Sequence, residues 1–210
     1  TNYDRLIEIA CEYSGKLVDS TFVGHSMAKF DPRESQFSFC RNARRKQGKV
    51  CLDYAHRVKV SKPHGSLDWY EVNGRPVRCP YSIDVPPLIV APGDTKYRSG
   101  YKEPFDAHRE CANQDIDNAK RYLIIGYGFN DDHLQIHLTR NLREGKPALI
   151  VTREVSESAM ELINDCPNIM ALYADKSTEG SSIFKDIDGY CHYVIGDIWD
   201  LKALASEVFI

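Results

Sequence analysis

Apolar and polar positions recur with regular periods along residues 104–210, where the pattern is clearest. Short apolar runs at 122–126, 148–151 and 168–172 alternate with segments of helical spacing. Apolar runs of this kind are typical of buried parallel strands. The chain is therefore predicted to be an α/β protein with a Rossmann-like parallel sheet, right-handed crossovers and helices on both faces, completed by a last strand near 193–195.

Helical spacing also marks the first residues of the chain. Leu6, Ile9, Ala10 and Tyr13 share one side of a predicted helix that Gly15 would end. An α/β domain normally starts with a strand, and no strand precedes this helix in the sequence. We therefore expect the chain to be the C-terminal part of a longer protein.

Residues 20–103 depart from this regular pattern. The stretch 20–56 is polar and aperiodic and is predicted to be mostly loop with short helical pieces. The stretch 57–103 contains strand-like and turn-like segments, among them a short buried extended segment at 86–92. We interpret residues 1–210 as one domain that carries irregular and hairpin insertions within 20–103.

A β-hairpin is the best-defined feature of these insertions. Asn73-Gly74 separates two strand-like runs at 69–72 and 75–78, and this dipeptide is a strong hairpin signal. Because proline has no backbone N–H to donate, Pro76 predicts that the returning strand lies at a sheet edge.

Composition and charge narrow the functional classes. The 210 residues are 42% apolar and carry a net charge of −3, which fits one domain with a core and gives no basis for direct nucleic-acid binding. No apolar run reaches the roughly 20 residues of a membrane-spanning helix. One basic cluster lies in a polar stretch, where a solvated loop is the simpler interpretation and a phosphate or partner contact is the alternative. Its members are Arg41, Arg44, Arg45, Lys46 and Lys49.

The seven cysteines are scattered along the chain and form no closely spaced pair. Such a set fits a reducing compartment, so the protein is predicted to be cytoplasmic with free thiols. No knuckle-type zinc site is encoded locally, and no metal is expected. His133 and His137 share one face of a predicted helix, but an ordinary helical position explains them more simply than a metal site.

The first candidate site is a glycine turn at the end of a predicted strand. In Gly126-Tyr127-Gly128 the glycines would let a phosphate or ribose approach the backbone, and the following helix would favour an anion. Since ligands of open α/β sheets bind at the carboxyl ends of strands, Thr152, Arg153 and Asp197 are further candidates. A tight turn that only begins a capped helix is the alternative interpretation.

Two more candidates lie earlier in the chain. His64, in Lys62-Pro63-His64-Gly65, follows a predicted strand, and histidine is a natural general base near neutral pH. A structural loop histidine is the alternative. Thr1-Asn2-Tyr3-Asp4 places polar residues just before a helix, where a ligand would bind, and a helix cap is the alternative there.

Taken in order, these motifs resemble those of the sirtuin superfamily, in which T-Q-N-I-D at a strand end is followed by H-G and then by a G-[TS]-S turn. The variants found here are T-N-Y-D, K-P-H-G-S-L-D-W and I-I-G-Y-G-F-N-D-D-H. They are similar to the bacterial sirtuin-like domains of anti-phage defence systems. The resemblance covers nearly the whole chain.

This resemblance implies a site for NAD. Asn2 and His64 would be the catalytic pair, and Asp4 would lie near the nicotinamide carboxamide. The other residues that the resemblance assigns to NAD binding are Thr1, Gly126, Tyr127, Gly128, Thr152, Arg153 and Asp197.

Two departures from the family pattern bear on the reaction. Sirtuin deacylases carry paired C-x-x-C zinc ligands after the H-G motif, whereas residues 65–121 contain only Cys79 and Cys111. This difference favours an NAD hydrolase that releases ADP-ribose over a protein deacylase. The family's G-A-G-x-S loop, which holds the pyrophosphate, should lie upstream of Thr1, so we expect this chain alone to lack half of the NAD site. A non-catalytic nucleotide-fold scaffold is the alternative if the protein begins at Thr1.

For the protein as a whole, the resemblance implies an effector of bacterial anti-phage defence that depletes NAD. Proteins of this kind form homo-oligomers and work with a hexameric ATPase or a sensor protein. From the net charge and the lengths of the apolar runs, we expect no direct contact with nucleic acid or with a membrane.

Overall fold

The computed structural model of the chain describes residues 2–90 and 102–207, except the side chains of residues 132 and 133. The chain divides into two units, Thr1–Ala112 and Asn113–Ile210. No helix in the described ranges has the length and the apolar character needed to cross a bilayer.

The first unit is built mainly from short strands. In chain order its described part contains α1 (Leu6–Tyr13), β1 (Leu17–Asp19), β2 (Phe22–Val23), β3 (Ala28–Phe30), α2 (Pro32–Ser38), β4 (Cys40–Lys46), β5 (Lys49–Tyr54), β6 (Arg57–Lys59), β7 (Gly65–Val72), β8 (Arg75–Arg78), β9 (Pro87–Ile89) and the larger part of α3 (Phe105–Asn118).

An antiparallel sheet in the order β2-β3-β8-β7-β9 organises this unit. The buried rings of Phe22 and Trp69 lie 5.0 Å apart and form a core with Ala28 of β3. Phe30 and Leu88 pack against this core. Aromatic burial of this size supplies much of the stability of a small sheet. β1 and β6 form a separate parallel pair, and β4 and β5 form a separate hairpin.

The prediction that 20–56 is mostly loop is wrong, because strands and α2 occupy most of it. The β4–β5 hairpin turns at Gln47 and Gly48, whose φ angles are 51° and 78°. Every residue of β4 after Cys40 is exposed, so the strand has no buried face and no apolar alternation that would reveal it. The basic cluster therefore lies on a hairpin rather than in a loop.

The hairpin predicted at Asn73-Gly74 is confirmed. Val72 pairs with Arg75, and the two turn residues have φ angles of 52° and 71°, as a tight two-residue turn requires. The edge position predicted from Pro76 is wrong, because β8 lies between β3 and β7. β3 pairs with residues 77 and 78 of β8, so Pro76 lies beyond that pairing, where a missing N–H is tolerated.

The predicted first helix and the extended segment near 86–92 are also present. α1 covers Leu6–Tyr13, although its apolar side is exposed: Leu6 is 69% and Tyr13 94% accessible. β9 is half-buried and pairs with β7. Residues 91 and 92 lie outside the described residues.

The second unit follows the predicted alternation of strands and helices. In chain order its described part contains β10 (Tyr122–Ile125), α4 (Asp132–Arg143), β11 (Ala148–Thr152), α5 (Glu157–Asp165), β12 (Ile169–Ala174), β13 (Ser181–Lys185), β14 (Cys191–Ile195) and α6 (Leu201–Glu207). β10, β11 and β12 are neighbours and parallel. Ser156 caps α5 by accepting a hydrogen bond from the Ala159 amide at 3.2 Å.

Alternate residues of β11 enter two cores on opposite faces of this sheet. Ile150 packs in one core with Leu142 of α4 and Leu162 of α5. Val151 packs in the other with Leu204 of α6. Helices thus cover both faces, which confirms the α/β, Rossmann-like class.

Beyond β12 the sheet becomes antiparallel, which corrects the prediction of a uniformly parallel sheet. β13 was not predicted, and it pairs antiparallel with both β12 and β14. A tight turn joins β13 to β14, because a carboxylate oxygen of Asp186 accepts from the amides of Asp188 and Tyr190 at 3.0 and 2.9 Å. This turn replaces the crossover helix that a parallel strand would need.

Candidate functional site

The segment that contains Asn2 lies beside the start of β7 in the first unit. The Tyr3 carbonyl accepts a hydrogen bond from the Leu67 amide at 3.0 Å. The Tyr3 hydroxyl donates to the Val90 carbonyl at 2.7 Å. Asn2, next to these anchors, is exposed and therefore accessible to a ligand.

At the start of α1, the Asp4 side chain accepts a hydrogen bond. One of its carboxylate oxygens accepts from the Leu6 amide at 2.9 Å, as residues before a helix commonly do. The Asp4 side chain is half-buried. Thr1, a predicted NAD-binding residue, lies outside the described residues.

The loop of His64 depends on the glycine that follows it. Gly65 has a φ of 87°, and a Cβ atom there would lie 2.1 Å from the Leu88 carbonyl oxygen, so only glycine fits. The Gly65 amide donates to the Lys62 carbonyl at 3.0 Å, and the Val90 amide donates to the His64 carbonyl at 2.8 Å. The backbone of the half-buried His64 is thus fixed between a turn and the end of β9.

A buried histidine supports the same loop. His108 is fully buried on α3, and its Nδ1 accepts from the Lys62 amide at 3.2 Å. Its Nε2 lies 2.8 Å from the Thr21 hydroxyl, so Nε2 carries the ring proton. Burial, with a smaller contribution from the Lys62 ammonium, lowers the pKa of His108 to about 4, against the opposing effect of Asp19. The ring is therefore neutral near pH 7.

The segments of Asn2 and His64 are brought together by shared anchors. Val90 donates to one and accepts from the other, and Leu67, three residues after His64, donates to Tyr3. The structure therefore brings together, within one unit, the two segments whose residues were predicted to form the catalytic pair. The six NAD-binding candidates from the later part of the chain all lie in the second unit: Gly126, Tyr127, Gly128, Thr152, Arg153 and Asp197.

The predicted glycine turn follows β10. Gly126 has a φ of 60°, and its amide donates to the Val151 carbonyl at 2.9 Å, so the turn begins in register with the end of β11. The Gly128 carbonyl accepts from the Ser156 hydroxyl at 2.6 Å. The Tyr127 and Phe129 rings lie 5.0 Å apart. The turn is thus held on both sides by the sheet and by the start of α5.

A cleft of about 530 Å³ lies at the carboxyl ends of β11 and β12. This is the edge where parallel sheets bind ligands. Two of the predicted NAD-binding residues, Arg153 and Asp197, line it. Thr152 precedes them at the end of β11, and its hydroxyl donates to the Glu154 carbonyl at 2.9 Å, which closes the loop. Other residues that line the cleft are Glu154, Asp175, Lys176 and Trp199.

The Trp199 indole ring contacts two charged residues of the cleft. The Arg153 guanidinium lies 5.7 Å from the centre of the Trp199 ring, a cation–π distance. The Trp199 indole N–H donates to Asp197 at 3.1 Å. A flat aromatic base could stack on this pair of planar groups.

Carboxylates outnumber cations in the cleft. A hydrogen bond from Lys176, 2.7 Å away, and the charge of that ammonium lower the pKa of Glu154. Hydrogen bonds from Ser177 lower the pKa of Asp175. Both groups are therefore ionised near pH 7, and as hydrogen-bond acceptors they suit sugar hydroxyls better than phosphates.

Sequence reasoning missed several residues of these sites. Lys62 lies in the K-P-H-G motif but was given no role there, and His108 lies in no motif; the contacts of both reach residues far away in sequence. Trp199 follows a predicted strand end by a few residues, a signal that could have pointed to it. Among the described residues, no three histidine, cysteine or carboxylate side chains come together as a metal site would need.

Comparison with known families gives one match. The family described as SIR2-like domain matches residues 1–167, which is most of the chain. The matched range includes the Asn2 and His64 segments, the glycine turn and the end of β11. No curated protein matches the chain.

Proposed function

Because the chain belongs to the SIR2-like domain family, whose members are NAD-dependent enzymes, we propose that it is an NAD hydrolase. The proposed reaction splits NAD into nicotinamide and ADP-ribose. The observation that carries this proposal is the pairing of the Tyr3 carbonyl with the Leu67 amide, because it sets the Asn2 segment beside the His64 loop.

The bond to be broken joins ribose C1′ to the nicotinamide ring nitrogen. That nitrogen is positively charged in NAD, so the departing nicotinamide takes the bonding electrons and leaves neutral without an acid. A water oxygen then bonds to C1′, and the water proton must pass to a base. Because the leaving group is already activated, we propose no metal in this reaction.

Asn2 and His64 have the chemistry that this reaction needs. The exposed Asn2 amide would orient the ribose or the attacking water, which is a contribution of positioning. His64 would take the proton from that water or from a ribose hydroxyl, as a general base. Asp4 and Thr1 are proposed to bind the nicotinamide side.

The second unit is proposed to bind the adenosine side of NAD. The Arg153–Trp199 pair offers planar groups on which adenine could stack, and Asp197 offers acceptors for ribose hydroxyls. Gly126-Tyr127-Gly128 and Thr152 lie at the neighbouring strand ends and are proposed as backbone and side-chain contacts.

The cellular role that we propose is depletion of NAD as the effector of bacterial anti-phage defence in the cytoplasm. Support for this role comes from the residues of the T-N-Y-D, K-P-H-G and G-Y-G motifs, which resemble those of bacterial sirtuin-like defence domains. On the same ground we propose a homo-oligomer that works with a hexameric ATPase or a sensor protein.

Product analysis tests the enzyme. The full-length protein is incubated with NAD, alone and with lysate of phage-infected bacteria, and products are separated by chromatography with mass detection. We expect equal amounts of nicotinamide and ADP-ribose, a loss of roughly 100-fold or more in His64→Ala and in Asn2→Ala, and wild-type turnover in His56→Ala, which removes an exposed histidine of the same unit.

Other results would contradict the proposal. Acetyl-ADP-ribose formed with an acetyl-lysine peptide would identify a deacylase instead. No conversion of NAD under either condition would favour a non-catalytic scaffold. Unchanged turnover in both His64→Ala and Asn2→Ala would overturn the residue assignment.

A further inference from the structure

We propose that Lys62 is a positioning residue for this reaction, whose ammonium holds the segment of Asn2 against the loop of His64. The catalytic part of this inference rests on the proposed function. Lys62 is 7% exposed, and a lysine is almost never buried to this extent unless its charge is paired. The partners of the Lys62 ammonium therefore explain why this side chain can be buried.

The ammonium contacts both segments at once. Lys62 Nζ donates to the Asp4 carbonyl, forms an ion pair with Glu8 of α1 at 2.8 Å, and lies 3.3 Å from the Ser66 hydroxyl oxygen. An ammonium has three N–H donors, so these partners use all of them. Two partners follow Asn2 in the chain, and the third follows His64.

A second set of contacts, made by Ser66 and Asp68, joins the same two segments. The buried Ser66 hydroxyl donates to Asp68 at 2.6 Å, which leaves its oxygen free to accept from Lys62. Asp68 also lies 3.8 Å from the Arg5 guanidinium. Ion pairs and hydrogen bonds therefore join residues 3–8 to residues 62–68 along their length.

Apolar packing cannot replace these contacts. No residue of α1 is buried within the described structure, and Leu6 and Ile9 are 69% and 52% exposed. The position of the Asn2 segment therefore depends on directional polar contacts, and Lys62 makes two of them, to Asp4 and to Glu8. The main chain of Lys62 is in turn fixed by His108 and Gly65, two residues from His64.

The test compares two buried ion pairs of the same unit. Lys62→Met/Glu8→Gln removes the ammonium without leaving a buried unpaired carboxylate. Arg57→Met/Asp19→Asn is the matched control, because Arg57 and Asp19 are 2.9 Å apart and their side chains are 12% and 10% exposed, close to the 8% and 13% of Lys62 and Glu8. NAD hydrolysis is measured for each, together with the unfolding midpoint and amide hydrogen exchange.

We expect the Lys62 variant to lose kcat by roughly 10- to 100-fold with little change in KM, since displacement of a catalytic group costs this much. The control should keep the wild-type kcat at a similar loss of stability. Amides of residues 3–8 and of Leu67 should exchange faster in the Lys62 variant only. Equal losses of kcat in both variants, or a wild-type kcat in the Lys62 variant, would overturn the positioning role.

Hydrogen exchange separates this inference from the proposed function. If the wild-type protein converts no NAD, the proposed function fails, and faster exchange confined to the Lys62 variant still shows that Lys62 holds the two segments. Unchanged exchange at residues 3–8 would overturn the inference even in an active enzyme.

Discussion

The two units hold their candidate residues by different means. In the second unit Ile150, Val151 and Ile169 are completely buried. This apolar packing fixes the position of β11, and with it the positions of Thr152 at its end and of Arg153, which follows. Burial of apolar surface is non-directional, so many side chains of the right volume would hold the same strand ends.

In the first unit the anchors of the candidate pair are polar and buried. Lys62, Ser66, Asp68 and His108 are all below 9% exposed, and each is hydrogen-bonded to at least one other of these four residues. Such bonds need defined distances and angles, and a buried partner left unpaired is costly. We therefore expect the stability and activity of the first unit to respond to the loss of single polar atoms, and the stability of the second unit to the loss of side-chain volume.

The largest effect is expected for Gly65→Ala in the first unit. The added Cβ would lie 2.1 Å from the Leu88 carbonyl oxygen and 2.8 Å from the Phe105 ring, at a φ of 87°. Overpacking and left-handed strain together should cost about 4 kcal/mol of unfolding free energy and abolish NAD turnover. Urea unfolding and the NAD assay measure the two effects.

Gly48→Ala is the matched control for this substitution. Gly48 has a similar φ of 78°, but a Cβ there would meet no atom within 4 Å. Only the left-handed strain remains, about 1–2 kcal/mol, and turnover should be unchanged. Equal destabilisation by the two substitutions would remove the steric argument.

Loss of volume should matter most in the second unit. Ile150→Ala removes a side chain that is 0% exposed and should cost about 3 kcal/mol. Ile195→Ala, at a strand position that is 94% exposed, should cost almost nothing. Because neither residue lines the cleft, kcat per folded molecule should stay at the wild-type value in both. Our distinction between the units fails if Ile150→Ala lowers kcat while its KM and folded fraction do not change.

The next effect is a pH dependence that originates in His108. Its pKa of about 4 in the folded chain lies below the ordinary value of 6.5, so the unfolded chain binds a proton first as the pH falls. The contribution of this histidine to stability is therefore complete above pH 6.5 and is lost as the pH falls from 6.5 through 4. Near pH 4.5 the loss should reach about 2–3 kcal/mol.

His108→Gln isolates this contribution from other titrating groups. Carboxylates also titrate near pH 4, so the quantity to compare is the loss of unfolding free energy between pH 7.0 and 4.5 in each protein. We expect a smaller loss in His108→Gln than in the wild type, and no difference from the wild type in His25→Ala, where the histidine is exposed. Equal losses in all three proteins would contradict the low pKa of His108.

The contrast between apolar packing and polar contacts also determines how much of the fold could be predicted from the sequence. The strands at 148–152 and 169–174 were predictable because burial of their side chains on both faces of the sheet makes each a short apolar run. The strand at 122–125 is also a short apolar run, although Leu123 and Ile125 are 53% and 45% exposed. The hairpin at Asn73-Gly74 was predictable because few other residues adopt its φ angles. β4 was not, because a strand whose residues after Cys40 are all exposed has no apolar period. β5 was missed although Val50, Leu52 and Tyr54 recur at every second position.

The candidate site was predictable in part for the same reason. His64 and Gly65 form a motif of adjacent residues, and Gly65 has a steric role that fits it. The contact between Lys62 and Asp4 joins residues 58 positions apart, and hydrogen bonds at such a separation leave no periodic trace in the sequence. His108 is likewise 46 positions from the amide that it accepts from. These anchors become visible only in three dimensions.

The smallest effect is expected in the cleft of the second unit. Arg153→Ala removes the guanidinium over the Trp199 ring, an exposed cation–π contact worth about 0.5–1 kcal/mol. Loss of this platform should raise KM for NAD roughly two- to fivefold and leave kcat unchanged, whereas Arg121→Ala, an exposed arginine outside the cleft, should alter neither constant. An equal rise of KM in both variants would indicate a general effect of charge, and a fall in kcat alone would place Arg153 with the turnover residues of the first unit. A rise in KM confined to Arg153→Ala would instead assign substrate binding to the apolar-packed unit and turnover to the unit that polar contacts hold.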